Sequence, residues 1–195
     1  MLVLGGLRNA IYHQHIDRAS KSSFRSNSGK SGDVHAERSC ISLKDQADED
    51  MMKTSLVQAA LDNLVGEATK AAQNSYSPYS KFRVGAALRL SDGTVVTGTN
   101  VENVSFGLTI CAERSALVRA VSQFGPGIRI DAVAVANLNT AASPPCGACR
   151  QMLAEFAAPE SVIVFPAAKG ITTMTFEDIL PLGFDMKLKN TASEE

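Results

Sequence analysis

No apolar run in this 195-residue chain approaches the ~18 residues needed to span a bilayer as a helix. Its first residues hold no secretory apolar core followed by a small-residue cleavage site. Neither membrane insertion nor export is expected. Charge of one sign is also lacking: 19 Lys and Arg against 20 Asp and Glu leave a formal net charge of −1. Nucleic acid and anionic membrane surfaces both demand clustered positive charge, so neither is expected as a partner. Cysteine is scarce, with four in the chain (Cys40, Cys111, Cys146 and Cys149). A disulfide framework is the weaker reading of so few. Reduced thiols in a cytoplasmic setting are expected, where close cysteine pairs bind metal or do chemistry. What is present is ordinary: 45% hydrophobic and 20% charged residues suit a soluble globular chain.

Composition turns over near residue 50. Residues 1–50 carry scattered serines and a closing acidic run, DQADED, with no sustained apolar period. Such a segment cannot bury enough surface to offset its chain entropy, so it is expected to be mostly disordered. Five Lys or Arg against one acid in the first 32 residues faintly suggest a transit peptide. A dispensable tail, or translation beginning at Met51 or Met52, is the blander and preferred reading. Residues 51–195 fit a single domain.

Within that domain, Ser55 and Gln58 have the spacing of a capping box. Behind them Leu56, Ala60, Leu61, Leu64, Val65, Ala68 and Ala72 share one helical face, which predicts a helix ending near Asn74. FRVGAALRL and TVVTGTN, joined by Ser91-Asp92-Gly93, predict a β-hairpin. A helix is expected from near Cys111 to the FGPG breaker, then a strand over 131–137. Pro144-Pro145 lead into a helix over about 147–156. SVIVFP and ITTMT read as further strands, and Thr175 as the cap of a last short helix. Strands alternating with helices predict an α/β sandwich around one sheet.

Two stretches nearly repeat each other: VHAERSC at 34–40 and ICAERSA at 110–116. A third, SPPCGACRQ at 143–151, supplies a Cys-x-x-Cys pair. Cys146 and Cys149 at a helix start can both reach one ion, and the free N–H groups there favour thiolate. A catalytic zinc site wants one more protein ligand and an open position. His35 would have to be ordered out of a serine-rich tail. Cys111 sits at a helix start with Leu117, Val118 and Val121 to bury and fix it, so Cys111 is the expected third ligand. Glu113, two residues on, is then a candidate general base towards water at the open position. Taken singly, either motif would fit a structural zinc knob or redox pair as well.

Together the motifs resemble cytidine deaminases of the small, homotetrameric, three-cysteine type, whose zinc signature couples a ligand-x-Glu to Pro-Cys-x-x-Cys. The similarity extends to YSPYSKFRVGAAL, TNVENVSFGLTICAERSA and ILPLGF, covering about Ser55 to Phe184. It implies a three-layer α-β-α sandwich around one mixed five-stranded sheet. It also implies Zn²⁺ on Cys111, Cys146 and Cys149, with Glu113 shuttling protons. Asn100 and Glu102 match residues that hydrogen-bond ribose hydroxyls, and Phe82 matches an aromatic beside the pyrimidine. The Ala112 N–H matches a donor to the base carbonyl, and Phe184 matches an aromatic reaching in from a neighbouring subunit. Phe106 stands where the family usually has tyrosine, which leaves stacking alone. Three thiolates on Zn²⁺ leave a net −1, and Arg114 bonded to the sulfurs would restore some Lewis acidity. The implied substrates are cytidine and deoxycytidine, acted on in pyrimidine salvage by a cytoplasmic homotetramer. A blasticidin S-type deaminase shares both zinc motifs and is the alternative. Arg83, Arg119 and Arg150 are scattered, read as solvated surface, and suggest no nucleotide substrate.

Overall fold

In the computed structural model, residues 36–184 of the 195 are described, and side chains from residue 51 onward with the exception of Lys53. The expectations for residues 1–35, His35 included, lie outside the described residues. The first element is a 37-residue helix, α1 (Ala36–Ala72). It begins well before the capping box at Ser55, and 36–50 is helical where disorder is expected from composition. The physical reason is local. Residues 36–50 contain neither proline nor glycine, and they run without a break into a segment rich in Ala, Leu, Lys, Gln and Met, good helix formers that carry the helix on past Ser55. A capping signature ends nothing when the residues before it propagate equally well. The described chain parts into two compact units between Ala60 and Leu61. What is described of the first is α1 alone.

The second unit is built on one sheet. Strands β1 (Val84–Leu90) and β2 (Val95–Thr99) form the expected hairpin, with Gly85 opposite Thr99 and Arg89 opposite Val95. Its turn uses Gly93 at φ 91°, a conformation that glycine adopts without steric cost. The Gly93 N–H donates to the Leu90 carbonyl at 2.9 Å, and Asp92 Oδ1 accepts from the Thr94 N–H at 2.9 Å. After a 3-10 turn (Phe106–Leu108) comes α2 (Ala112–Phe124), capped by Cys111 and stopped at Gly125. Strand β3 (Ile130–Asn137) follows, then α3 (Gly147–Ala154), β4 (Ala157–Ala167), β5 (Gly170–Thr175) and the one-turn α4 (Phe176–Ile179). Thr175 caps α4 as expected, its hydroxyl accepting from the Asp178 N–H at 3.1 Å.

Strand order is β2-β1-β3-β4-β5. Only β3 and β4 run parallel, which makes the sheet mixed, and α3 is their crossover. Its two faces carry different side chains. Ala86, Leu88, Val133, Val135, Ile163 and Phe165 pack against Ala112, Ala116 and Leu117 of α2, Leu153 of α3 and Phe176 of α4. The alternate residues are small: Gly85, Ala87, Ala132, Ala134 and Ala136. A side chain on Gly85 would run into the backbone at Ala68 and Ala72, so the last turns of α1 lie directly on that face. Helices on both faces of one mixed five-stranded sheet give the three-layer α/β arrangement expected.

Gly98 in β2 does the corresponding work for α2. A Cβ there would lie 2.6 Å from the Ala112 carbonyl and closer still to the Ala116 amide nitrogen. Those atoms are helix backbone and cannot rotate away. Gly98→Ala is therefore expected to destabilise by about 3 kcal/mol or more, at the upper end of overpacking costs. A urea-unfolding midpoint unchanged from the parent would contradict this packing.

Candidate metal centre and adjoining cavity

Two helix starts converge on one point. Cys111 caps α2 and Cys146 caps α3, while Cys149 lies in the first turn of α3 with no exposed surface. The sulfurs of Cys111 and Cys146 are 3.9 Å apart and those of Cys146 and Cys149 3.3 Å. All three lie within 4.8 Å of one another. Zinc–sulfur bonds of about 2.3 Å in a tetrahedron put sulfurs about 3.8 Å apart, so the donor set fits zinc in type and spacing. Three ligands leave one position open.

The electrostatics match that donor set. Cys111 is pushed down to about 5, first by the hydrogen bond from the Cys149 thiol and further by the Arg114 guanidinium. The same bond, together with burial, pushes Cys149 up. Arg114 Nη2 lies 3.6 Å from Cys111 Sγ and donates to the Thr109 carbonyl at 3.0 Å. Its Nε is buried without a hydrogen-bond partner among the described residues. A half-buried guanidinium with one buried N–H unsatisfied beside three sulfurs favours an anionic cluster there. Loading with a divalent cation would displace the thiol protons.

Next to the sulfurs is a cavity of about 430 Å³, lined among others by Phe82, Asn100, Glu102, Ala112 and Glu113. Two of its carboxylates are buried, and their surroundings differ. Glu113, in the first turn of α2, has its pKa raised, chiefly by burial, with the negative Cys111 adding to the effect. Glu102 has its pKa lowered, chiefly by the Ser80 hydroxyl. It also accepts from the backbone N–H groups of Tyr79 at 2.9 Å and Ser80 at 3.2 Å. Asn100 is buried and mostly committed: its Oδ1 accepts from the Val84 N–H and the Ser75 hydroxyl, and its Nδ2 donates to the Phe82 carbonyl. One amide N–H remains for a ligand. Ala112 opens α2, where the backbone N–H has no intrahelical partner.

Phe106 does not line this cavity, and Phe184, expected to serve a neighbouring subunit's site, stands outside it as well. Phe106 is 69% exposed on the 3-10 turn and packs against Tyr79, ring centroids 6.1 Å apart. Phe184 is 73% exposed, with its backbone N–H and carbonyl both bonded to the Gln151 side chain. Arg150 is half-buried rather than solvated, its guanidinium donating to the carbonyls of Pro145 at 2.8 Å and Ile179 at 3.3 Å. It ties the metal-side helix start to α4.

Sequence reasoning missed the supports around the site. Asn137, the last residue of β3, accepts from the N–H groups of Asn139 and Ala141. It donates to the Ala141 carbonyl and, at 2.8 Å, to the Ser143 hydroxyl beside Cys146. Its only signal in the sequence was an asparagine closing a strand.

A family profile described as the cytidine and deoxycytidylate deaminase zinc-binding region matches residues 58–165. The cytidine deaminase of Halalkalibacterium halodurans is 44% identical over 123 residues, covering 62% of this chain and 91% of that protein. The crystal structure of cytidine deaminase from Mycobacterium tuberculosis superposes with a TM-score of 0.56 at 40% identity, covering 65% of this chain and 98% of that one. The blasticidin-S deaminase of Bacillus cereus is more distant, 28% identical over 140 residues, with 68% of this chain and 98% of that protein covered.

Proposed function

This chain belongs to the cytidine and deoxycytidylate deaminase family, and from that premise we propose that it hydrolyses the C4 amine of cytidine and deoxycytidine, giving the uridine nucleosides and ammonia. The single observation that carries the reading is the meeting of three sulfurs and one buried carboxylate, its pKa raised by that burial, at a cavity of about 430 Å³. Zinc, when held by Cys111, Cys146 and Cys149, supplies a Lewis acid that brings the pKa of water down towards about 7.

The chain's own residues do the rest. Glu113 takes a proton from water as its oxygen adds to C4 and delivers it to N3; it then takes the remaining proton from the new C4 hydroxyl and passes it to the amine, which leaves as ammonia while C4 keeps the oxygen as a carbonyl. Arg114 offsets the negative charge of the sulfurs. The free N–H of Ala112 donates to the base carbonyl at O2, and Phe82 packs beside the ring. Glu102 and the spare amide N–H of Asn100 take the ribose hydroxyls. We assign Phe106 and Phe184 to subunit contacts in a homotetramer, Phe184 reaching a neighbour's cavity. Val104, Phe106, Leu108 and Phe184 are each at least 66% exposed, which supports such burial. The free thiols favour a cytoplasmic role in pyrimidine salvage.

The test is ammonia release from a panel of cytidine, deoxycytidine, cytidine monophosphate and blasticidin S, with and without chelator, on a preparation whose mass is read by sedimentation. Both nucleosides should be turned over and chelator should abolish it. The monophosphate should fall about 100-fold or more in kcat/KM, because the described cavity wall has two carboxylates and neither Lys nor Arg. Preferred turnover of blasticidin S would move the substrate assignment to the more distant relative.

A further inference from the structure

One hydroxyl joins two parts of the cavity that come from different elements. Ser80 lies in the loop between α1 and β1, and its Oγ donates to Glu102 Oε1. The same oxygen accepts from the Phe82 N–H at 2.9 Å. A serine hydroxyl has one proton, so its donor capacity is spent on Glu102 while Phe82 occupies a lone pair. Glu102 Oε2 is held in turn by the Tyr79 and Ser80 N–H groups. Three of the carboxylate's four acceptor positions are thus filled from one dipeptide, leaving a single direction for a ligand hydroxyl.

The backbone between these contacts is not free to relax. Lys81 sits at φ 59°, in the left-handed region that non-glycine residues rarely adopt. It is held there from both sides. Its N–H donates to the Ser77 carbonyl at 3.1 Å, and its carbonyl accepts from Asn139 Nδ2 at 3.1 Å. This reversal is what brings the Phe82 N–H back onto Ser80 Oγ. Glu102 is buried, at 6% exposure, so its carboxylate would otherwise rely on backbone donors at one oxygen only.

We propose that Ser80 is a positioning residue for the sugar subsite, aiming Glu102 at the ribose hydroxyls while the Phe82 N–H pins the Ser80 oxygen in place. The inference rests on the nucleoside reading above. Ser80 shares the cavity wall with Cys111 and Glu113, but its hydrogen bonds go to Glu102 and Phe82, so its loss weakens binding and spares chemistry.

The experiment measures KM and kcat of the intact, zinc-loaded protein for cytidine and for 2′,3′-dideoxycytidine, with Ser80→Ala and Ser80→Thr. A hydrogen bond to a charged group is worth about 1.5 kcal/mol, about tenfold. Ser80→Ala should raise KM for cytidine about tenfold with kcat within about twofold, and leave KM for the dideoxynucleoside unchanged. Ser80→Thr keeps the hydroxyl and should restore the parental KM. An unchanged KM for cytidine overturns the proposal. So does an equal rise for both substrates, or a fall in kcat alone, since either would mark general loosening of the fold. A parent protein inert towards cytidine would refute the nucleoside reading instead.

Discussion

Glu113→Ala is expected to lower cytidine turnover about 10⁴-fold, the upper end for general acid–base catalysis, while zinc content stays at about one ion per chain. The argument compares two carboxylates in one cavity. A proton carrier must hold its proton near the working pH and give it up again. Glu102 is unsuited: its oxygens are taken up by Ser80 and Tyr79, and those bonds keep it ionised. Glu113 is the opposite case, with burial on α2 raising its affinity for a proton. Two acids pushed in opposite directions by their surroundings identify which one moves protons. Because Glu113 serves the attack, N3 and the amine in turn, removing it interrupts every transfer. Glu113→Gln keeps shape and polarity yet carries no proton, so it should fall nearly as far. A loss of less than about tenfold in either variant would mean that another group does this work.

What could be read from the chain beforehand was whatever depends on neighbours in sequence. The Ser91-Asp92-Gly93 turn, the Thr175 cap and the Cys-x-x-Cys at a helix start are local devices whose physics is complete within four or five residues. The pairing of Cys111 with them was legible because thiolate chemistry and helix starts narrow the choices sharply. The start of α1 was not. Ser55 and Gln58 have the right spacing, but a cap needs a break before it, and the preceding residues continue the helix. Ser80, Asn137 and Arg150 were invisible for a different reason. Each earns its place through backbone carbonyls or carboxylates brought near by the fold, such as Pro145 and Ile179 for Arg150. Side chains that bind backbone leave no periodicity to detect. Phe82 and Phe184 looked alike as isolated aromatics, yet one lines the cavity and the other stands exposed on Gln151.

Cys149→Ser should cost the protein both its metal and its activity. Cys149 is the fully buried member of the sulfur trio, held in the first turn of α3 behind Cys146. Structural zinc binds with roughly 10–16 kcal/mol over four ligands, so one thiolate contributes about 3–4 kcal/mol, or about 10²–10³-fold in affinity. Serine at this depth offers a poorly ionised oxygen in place of a soft thiolate. Metal content after dialysis should drop from about one ion per chain to near none, and cytidine turnover should fall below detection. A thermal measurement separates loss of metal from loss of fold. Ligand binding stabilises by RT ln(1 + [L]/Kd), so added zinc should raise Tm for the parent and leave Cys149→Ser unmoved. Were Cys146 and Cys149 merely a redox pair beside an unrelated acid, the substitution would leave metal content and turnover intact. That outcome would remove zinc from these sulfurs and, with it, the reason Arg114 and two helix starts face the same point.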